Sequence, residues 1–185
     1  MESAARLFHR QGYSATGARE IATAANVPPG SFTNHFRSKE TLAVAALDSY
    51  FTRLSEMMRF TLDDPTRPPI ERLFAYFDLI GGRLHSAAWA QGCLIPDLAT
   101  ETSAYGDTLR SRLADIMHLQ SAAFERVLGD LAGDADAADL AAFIVAAWHG
   151  TLLRMKVERS SEAIDRFRRV LRSLVAARAA GADAR

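Results

Sequence analysis

The chain has 185 residues, 49% of them apolar and 24% charged, with 22 basic and 22 acidic side chains and a single cysteine. That length buries about 70% of the surface the unfolded chain exposes, enough for one sizeable core with or without a small satellite. One cysteine excludes an intrachain disulfide and a metal cluster built on thiolates.

The longest unbroken apolar run, Leu140–Trp148, is far shorter than the roughly 20 residues of a membrane helix. The opening MESAARLFHR lacks the apolar stretch of a signal peptide, so a cytoplasmic protein is expected. Residues 1–47 carry five basic and three acidic side chains, and the remainder 17 and 19. The asymmetry has the sign expected of an N-terminal nucleic-acid-reading head.

Apolar spacing is helical throughout, so an all-α fold of about nine helices is predicted. The first helix covers about Glu2–Gln11 and buries Ala4, Leu7 and Phe8, with Gly12 at a left-handed C-terminal cap. A second spans Ala18–Ala25, with Gly17 as N-cap and Glu20 placed to reach back to the free backbone N–H groups. Asn26-Val27 make a turn. A third short helix starts near Pro29 and ends near His35, and Ser38 caps a long fourth. There Leu42, Ala46, Leu47, Tyr50, Phe51, Leu54, Met57 and Met58 recur at helical intervals.

Asp63-Asp64-Pro65 and Pro68-Pro69 end the fourth helix in a loop. The fifth turns Ile70, Leu73, Phe74, Phe77, Ile80 and Leu84 inward, and Cys93–Glu101 form a short sixth. The seventh presents Leu109, Leu113, Ile116, Met117, Phe124 and Val127. After a loop at 129–136, an eighth helix carries a stripe from Leu140 and Phe143 to Met155, and a ninth repeats it from Ile164 to Val175. These last two, near 137–157 and 160–177, can pack on the body or pair with a second copy as a four-helix bundle. The division expected is a head at 1–47 and a body at 48–185.

Two short helices joined by a tight turn form a helix-turn-helix, whose second helix enters the DNA major groove. Arg19 suits guanine or a phosphate, Asn34 suits adenine, and the Thr33 methyl suits a thymine methyl. Ser31 shares their outer face, while Phe32 and Phe36 point inward. His35 and Lys39 fall where phosphates would pass, positioning the head without specifying sequence. On spacing alone, a three-helix corner without DNA contact explains the segment equally well.

The motif Ala4-Ala5, Leu7-Phe8, Gly12-Tyr13, Arg19-Glu20-Ile21-Ala22, Gly30-Ser31-Phe32, His35-Phe36 and Ser38-Lys39-Glu40 resembles the head of the TetR/AcrR transcriptional regulators. The resemblance implies an all-α two-fold dimer, a palindromic double-stranded DNA operator, and a small-molecule effector bound in the body. It gives DNA-facing roles to Arg19, Ser31, Thr33, Asn34, His35 and Lys39. The family often has lysine where this chain has Pro29 and tyrosine where it has Thr33, and a basic segment usually precedes the first helix. Each lost phosphate contact reduces the salt slope by about one.

For the effector, the candidate lining is Tyr50, Phe74, Phe77, Trp89, Cys93, Met117, His118, Phe124, Trp148 and His149, each of which also suits plain core packing. His118 and His149 are polar groups on apolar stripes. Gly92-Cys93-Leu94-Ile95 with Leu98-Ala99 and Glu101 resembles a subset of the family that includes sensors of reactive electrophiles. A helix start and a lysine such as Lys156 lower a thiol pKa, so Cys93 and Lys156 are a candidate sensor pair; a small buried thiol that never reacts is the alternative.

A cysteine-dependent helical enzyme using His118 or His149 lacks a nucleophile motif and a third aligned group, and a non-enzymatic protein is expected. The histidines show no metal-ligand pairing, so neither metal nor cofactor is expected. A dimeric helical interaction protein without DNA binding is the remaining rival.

Overall fold

The computed structural model describes residues 1–28, 35–87, 92–101, 106–132 and 137–182. Within them are eight helices and no strand: α1 Glu2–Ala15, α2 Ala18–Ala24, α3 Lys39–Leu62, α4 Pro69–Ser86, α5 Leu94–Ala99, α6 Asp107–Ala132, α7 Ala137–Glu158 and α8 Glu162–Ala182. The third helix expected from near Pro29 to near His35 falls, except for His35 itself, outside the described residues.

The chain divides into two compact units, Met1–Leu54 with Cys93–Ile116, and Ser55–Gly92 with Met117–Arg185. In the first, α1 packs on α2 and α5. Ala4, Leu7 and Phe8 are buried as their spacing predicts, with Leu42, Leu47, Leu94 and Leu98. Phe8 and Tyr13 meet with ring centroids 5.8 Å apart.

The helix starts and stops have local causes. Ser38 Oγ accepts the Thr41 N–H at 3.1 Å, and Thr41 Oγ1 accepts the Ser38 N–H at 3.1 Å, a reciprocal cap on α3. Past α2, Asn26 adopts φ 54°. The Val27 and Asn26 N–H groups then close onto the Ala22 and Thr23 carbonyls, each at 3.0 Å. This is a Schellman turn with asparagine in the left-handed position. Gly17 is the N-cap of α2. Glu20 does not reach back to it, however; its carboxylate accepts Gln11 Nε2 at 2.8 Å and faces Arg10 at 3.7 Å.

The second unit is built on rings. Phe77 of α4 lies 5.5 Å from Phe124, 4.8 Å from Trp148 and 4.9 Å from Phe167, centroid to centroid. Tyr76 completes the cluster, 5.3 Å from Phe124. Gly81 admits Ile164 of α8 so closely that a Cβ there would meet its Cδ1 at 2.8 Å. Helix α7 packs Ile144, Trp148, Leu152 and Met155 inward. Phe143, expected on the same stripe, is instead 57% exposed. By length and composition α7 could cross a membrane, although one side of it packs against α8.

Candidate nucleic-acid interface and effector site

The head begins with the break in α1. At Gly12 the backbone takes φ 85° and ψ 170°, a conformation essentially confined to glycine. The expected positive φ at Gly12 is there, but not as a left-handed C-terminal cap: ψ is extended, the chain continues helically to Ala15, and Thr16 is the C-cap. Thr16 stitches the bend from below, its hydroxyl donating to the Gly12 carbonyl at 2.6 Å. Beyond it, α2 exposes Arg19 to solvent. The Thr23 hydroxyl donates to the Arg19 backbone carbonyl at 3.0 Å, one turn along the same helix.

Of the other expected DNA-facing residues, His35 is exposed, while Ser31, Thr33 and Asn34 lie outside the described residues. Lys39 is half-buried and turned toward α1. Its Nζ donates to the Ser14 carbonyl at 3.3 Å and sits 4.3 Å from the Tyr13 ring centroid, a cation–π contact. A lysine so held offers its charge at the head surface while bracing α1.

A second constellation surrounds Cys93, the N-cap residue of α5. The Tyr50 hydroxyl of α3 donates to Cys93 Sγ at 3.4 Å. The Tyr50 ring meets the His9 ring edge-on at 5.8 Å, and His9 Nδ1 lies 2.9 Å from Asp97 Oδ2. Helices α1, α3 and α5 are thus joined by polar side chains within one compact unit. Sequence reasoning missed His9 and Asp97; the signal was a polar residue on the buried side of α1 and a carboxylate in an otherwise apolar short helix.

The expectation that the helix start would acidify Cys93 is overturned. Burial pushes the thiol up to about 11, and the nearby Asp97 charge adds to this. Hydrogen bonds from Tyr50 and the Ile95 backbone oppose the rise without matching it. Desolvation outweighs a few aligned N–H groups because the thiolate would be cut off from water. Lys156 belongs to the other unit.

Among the remaining effector candidates, Phe77, Phe124 and Trp148 are fully buried in the ring cluster. Phe74 is buried beneath the Arg172 guanidinium, 4.5 Å from its ring centroid. Tyr50 and Met117 are half-buried, and Trp89 lies outside the described residues. His118 is exposed, which corrects its placement on the apolar stripe. The inward face of α6 runs through Leu113, Ile116, Gln120 and Phe124, and His118 is about 200° of helical rotation from Ile116. His149 is buried, its Nε2 has no hydrogen-bond partner, and burial pushes its pKa down to about 4.

Residues 1–46 match the bacterial regulatory proteins of the tetR family, and residues 69–171 match the tetracyclin repressor-like C-terminal domain. The chain belongs to the TetR family. It is 36% identical to the HTH-type transcriptional repressor DhaR of Mycobacterium sp. strain GP1, over 90% of this chain and 85% of that protein. The regulatory protein TetR of Rhodobacter sphaeroides superposes with a TM-score of 0.85 at 26% identity, covering 91% of this chain and 95% of that one. The reduced form of E. coli NemR shares the fold, with a TM-score of 0.77 at 24% identity over 90% and 89% of the two chains. This TetR-family protein is therefore a ligand-responsive, DNA-binding transcriptional regulator.

Proposed function

We propose that this regulator is a repressor that binds a palindromic operator as a homodimer and is released by a small-molecule effector. The observation that carries the reading is the head itself: a capped α2 with Arg19 outward, followed by a Schellman turn that ends α2 and redirects the chain. The repressor name of DhaR supports the sign of regulation. Residues 1–47 then serve as the DNA-binding part and 48–185 as the effector-binding and dimerising part, acting in the cytoplasm and without enzymatic turnover. Arg19, Ser31, Thr33, Asn34, His35 and Lys39 contact the duplex. In the effector site, Phe74, Met117 and His149 supply apolar surface and a neutral imidazole.

The test is a fluorescence anisotropy titration with DNA flanking the protein's own gene, at two salt concentrations. Specific binding that weakens steeply with salt is expected. Arg19→Ala should weaken it and reduce the salt slope by about one if the guanidinium meets phosphate, or relax sequence preference if it meets guanine. Binding that ignores both sequence and salt defeats the reading.

A second reading makes Cys93 a sensor of electrophiles or oxidants. The Tyr50 donor on the sulfur favours it. The raised thiol pKa requires that reaction occur from a locally opened state. A Cys93→Ser variant that is released from DNA by the same electrophiles as the wild type ends this reading.

A further inference from the structure

The break at Gly12 interrupts the helical hydrogen-bond ladder of α1, leaving the amides that follow it in need of acceptors. Glu101, just beyond α5, supplies both. Its Oε1 accepts the Tyr13 N–H at 2.7 Å and its Oε2 the Ser14 N–H at 2.9 Å. The carboxylate occupies the space a Cβ at Gly12 would need, so glycine serves two purposes there: it permits the positive φ and it admits the acid. Burial opposes the charge of Glu101, yet the Ser14 and Tyr13 donors and the nearby Lys39 hold its carboxyl below the usual carboxylate range.

Glu101 is itself fixed from below, its N–H donating to the Leu98 carbonyl at 3.0 Å. A pair of charge-assisted N–H bonds onto one rigidly held carboxylate fixes direction as well as distance. The chain leaves this bend through Thr16 and Gly17 straight into α2.

We propose that Glu101 is a positioning residue for operator binding: by receiving the Tyr13 and Ser14 amides it sets the bend in α1 and hence the direction in which α2 presents the DNA-reading corner. The orientation of the head is then dictated by a residue 81 positions downstream of α2's Glu20, in the segment that follows α5. Glu101 touches no DNA in this scheme. Removing a carboxylate near a polyanion would by charge alone tighten binding, whereas loss of positioning weakens it, so the two accounts predict opposite signs.

The experiment uses the full chain as wild type, Glu101→Ala and Glu101→Gln. Amide hydrogen exchange over residues 12–15 reads the clamp, and anisotropy with the operator reads its consequence. In Glu101→Ala the Tyr13 and Ser14 amides should lose protection and operator affinity should fall by about tenfold, as the aligned fraction of heads drops. The salt slope should stay unchanged because no phosphate contact is lost. Glu101→Gln keeps one acceptor oxygen and should fall between, which preserves the test if the alanine variant folds poorly. Operator affinity equal to or tighter than wild type in either variant overturns the proposal, as does unchanged amide protection. The proposal rests on the head binding an operator; a wild type that binds no DNA would defeat that reading, while the variants against a binding wild type judge Glu101 alone.

Discussion

His9 Nδ1 and Asp97 Oδ2 lie 2.9 Å apart, with side chains only 8% and 10% exposed, and tie the first helix of the DNA-binding head to α5. Losing the imidazole costs this covered carboxylate a charge-assisted hydrogen bond where water cannot readily replace it. His9→Ala should therefore destabilise the protein by about 2 kcal/mol, the scale of a hydrogen bond to a charged group. Asp97→Asn, which keeps a similar shape and removes the charge, should cost less. Thermal unfolding of the two variants checks the order; a His9→Ala melting point equal to wild type shows the pair to be energetically idle.

Cys93 should resist alkylation. Its thiol is pushed up to about 11, roughly two units above an ordinary thiol, which reduces the thiolate present at neutral pH about a hundredfold. The Tyr50 hydroxyl works in the other direction by donating to the sulfur, so Tyr50→Phe should slow the reaction further. Bromobimane labelling followed between pH 7 and 10 measures this. A rate that levels off as the pH approaches 10, instead of still climbing tenfold per unit, would place the thiol pKa in the ordinary range and contradict the buried assignment.

What the sequence revealed, and what it withheld, follows from the range of each interaction. Most helix spans and the Gly17, Asn26 and Ser38 punctuation are decided within a few residues, and these were legible; at Gly12 the positive φ was legible but the resumption of the helix beyond it was not. The head motif was legible for the same reason, since Arg19 must face outward once Ile21 and Ala22 face in. By contrast, Glu101 reaching Tyr13 and Asp97 reaching His9 both span 88 residues, and no periodicity encodes such a pairing. The Cys93 pKa failed differently: its place at a helix start is local and was read correctly, but its burial is tertiary and dominates. His118 was misplaced because it sits beside Met117 in sequence while pointing away from Ile116 and Gln120 in space.

Stability should depend on pH through His149. Burial alone holds its folded-state pKa at about 4, against about 6.5 for an unfolded histidine. Between those values the unfolded chain binds the extra proton, so the stability contributed by the neutral imidazole is complete above about pH 6.5. It is lost progressively as the pH falls toward 4, by about 3 kcal/mol in all. His149→Gln removes the titration, so its melting temperature should fall less than that of the wild type between pH 6.5 and 4.5. Parallel curves for the two proteins would mean that His149 is solvated in solution.

The groove between α7 and α8 carries the last prediction. Ile144, Ala147, Phe167 and Leu171 line it, and Phe143, Val170 and Leu174 stand along it 57%, 53% and 39% exposed. Arg154 and Arg166 lie at its edge, each already paired within its own helix to Glu158 and Glu162. A contiguous apolar strip of this kind marks an association surface, and a two-fold axis through it would bury Phe143 and Val170 twice over, at about 1.5–3 kcal/mol for each side chain covered. Phe143→Glu and Val170→Glu put like charges into that contact without touching the monomer's core. Sedimentation velocity at micromolar concentration should then show monomers with wild-type helix content. Operator affinity should fall at least a hundredfold, because the second head no longer binds at the high effective concentration its partner provides. If Phe143→Glu remains a dimer with full operator affinity, the copies associate through some other face and the α7–α8 groove must serve a different partner.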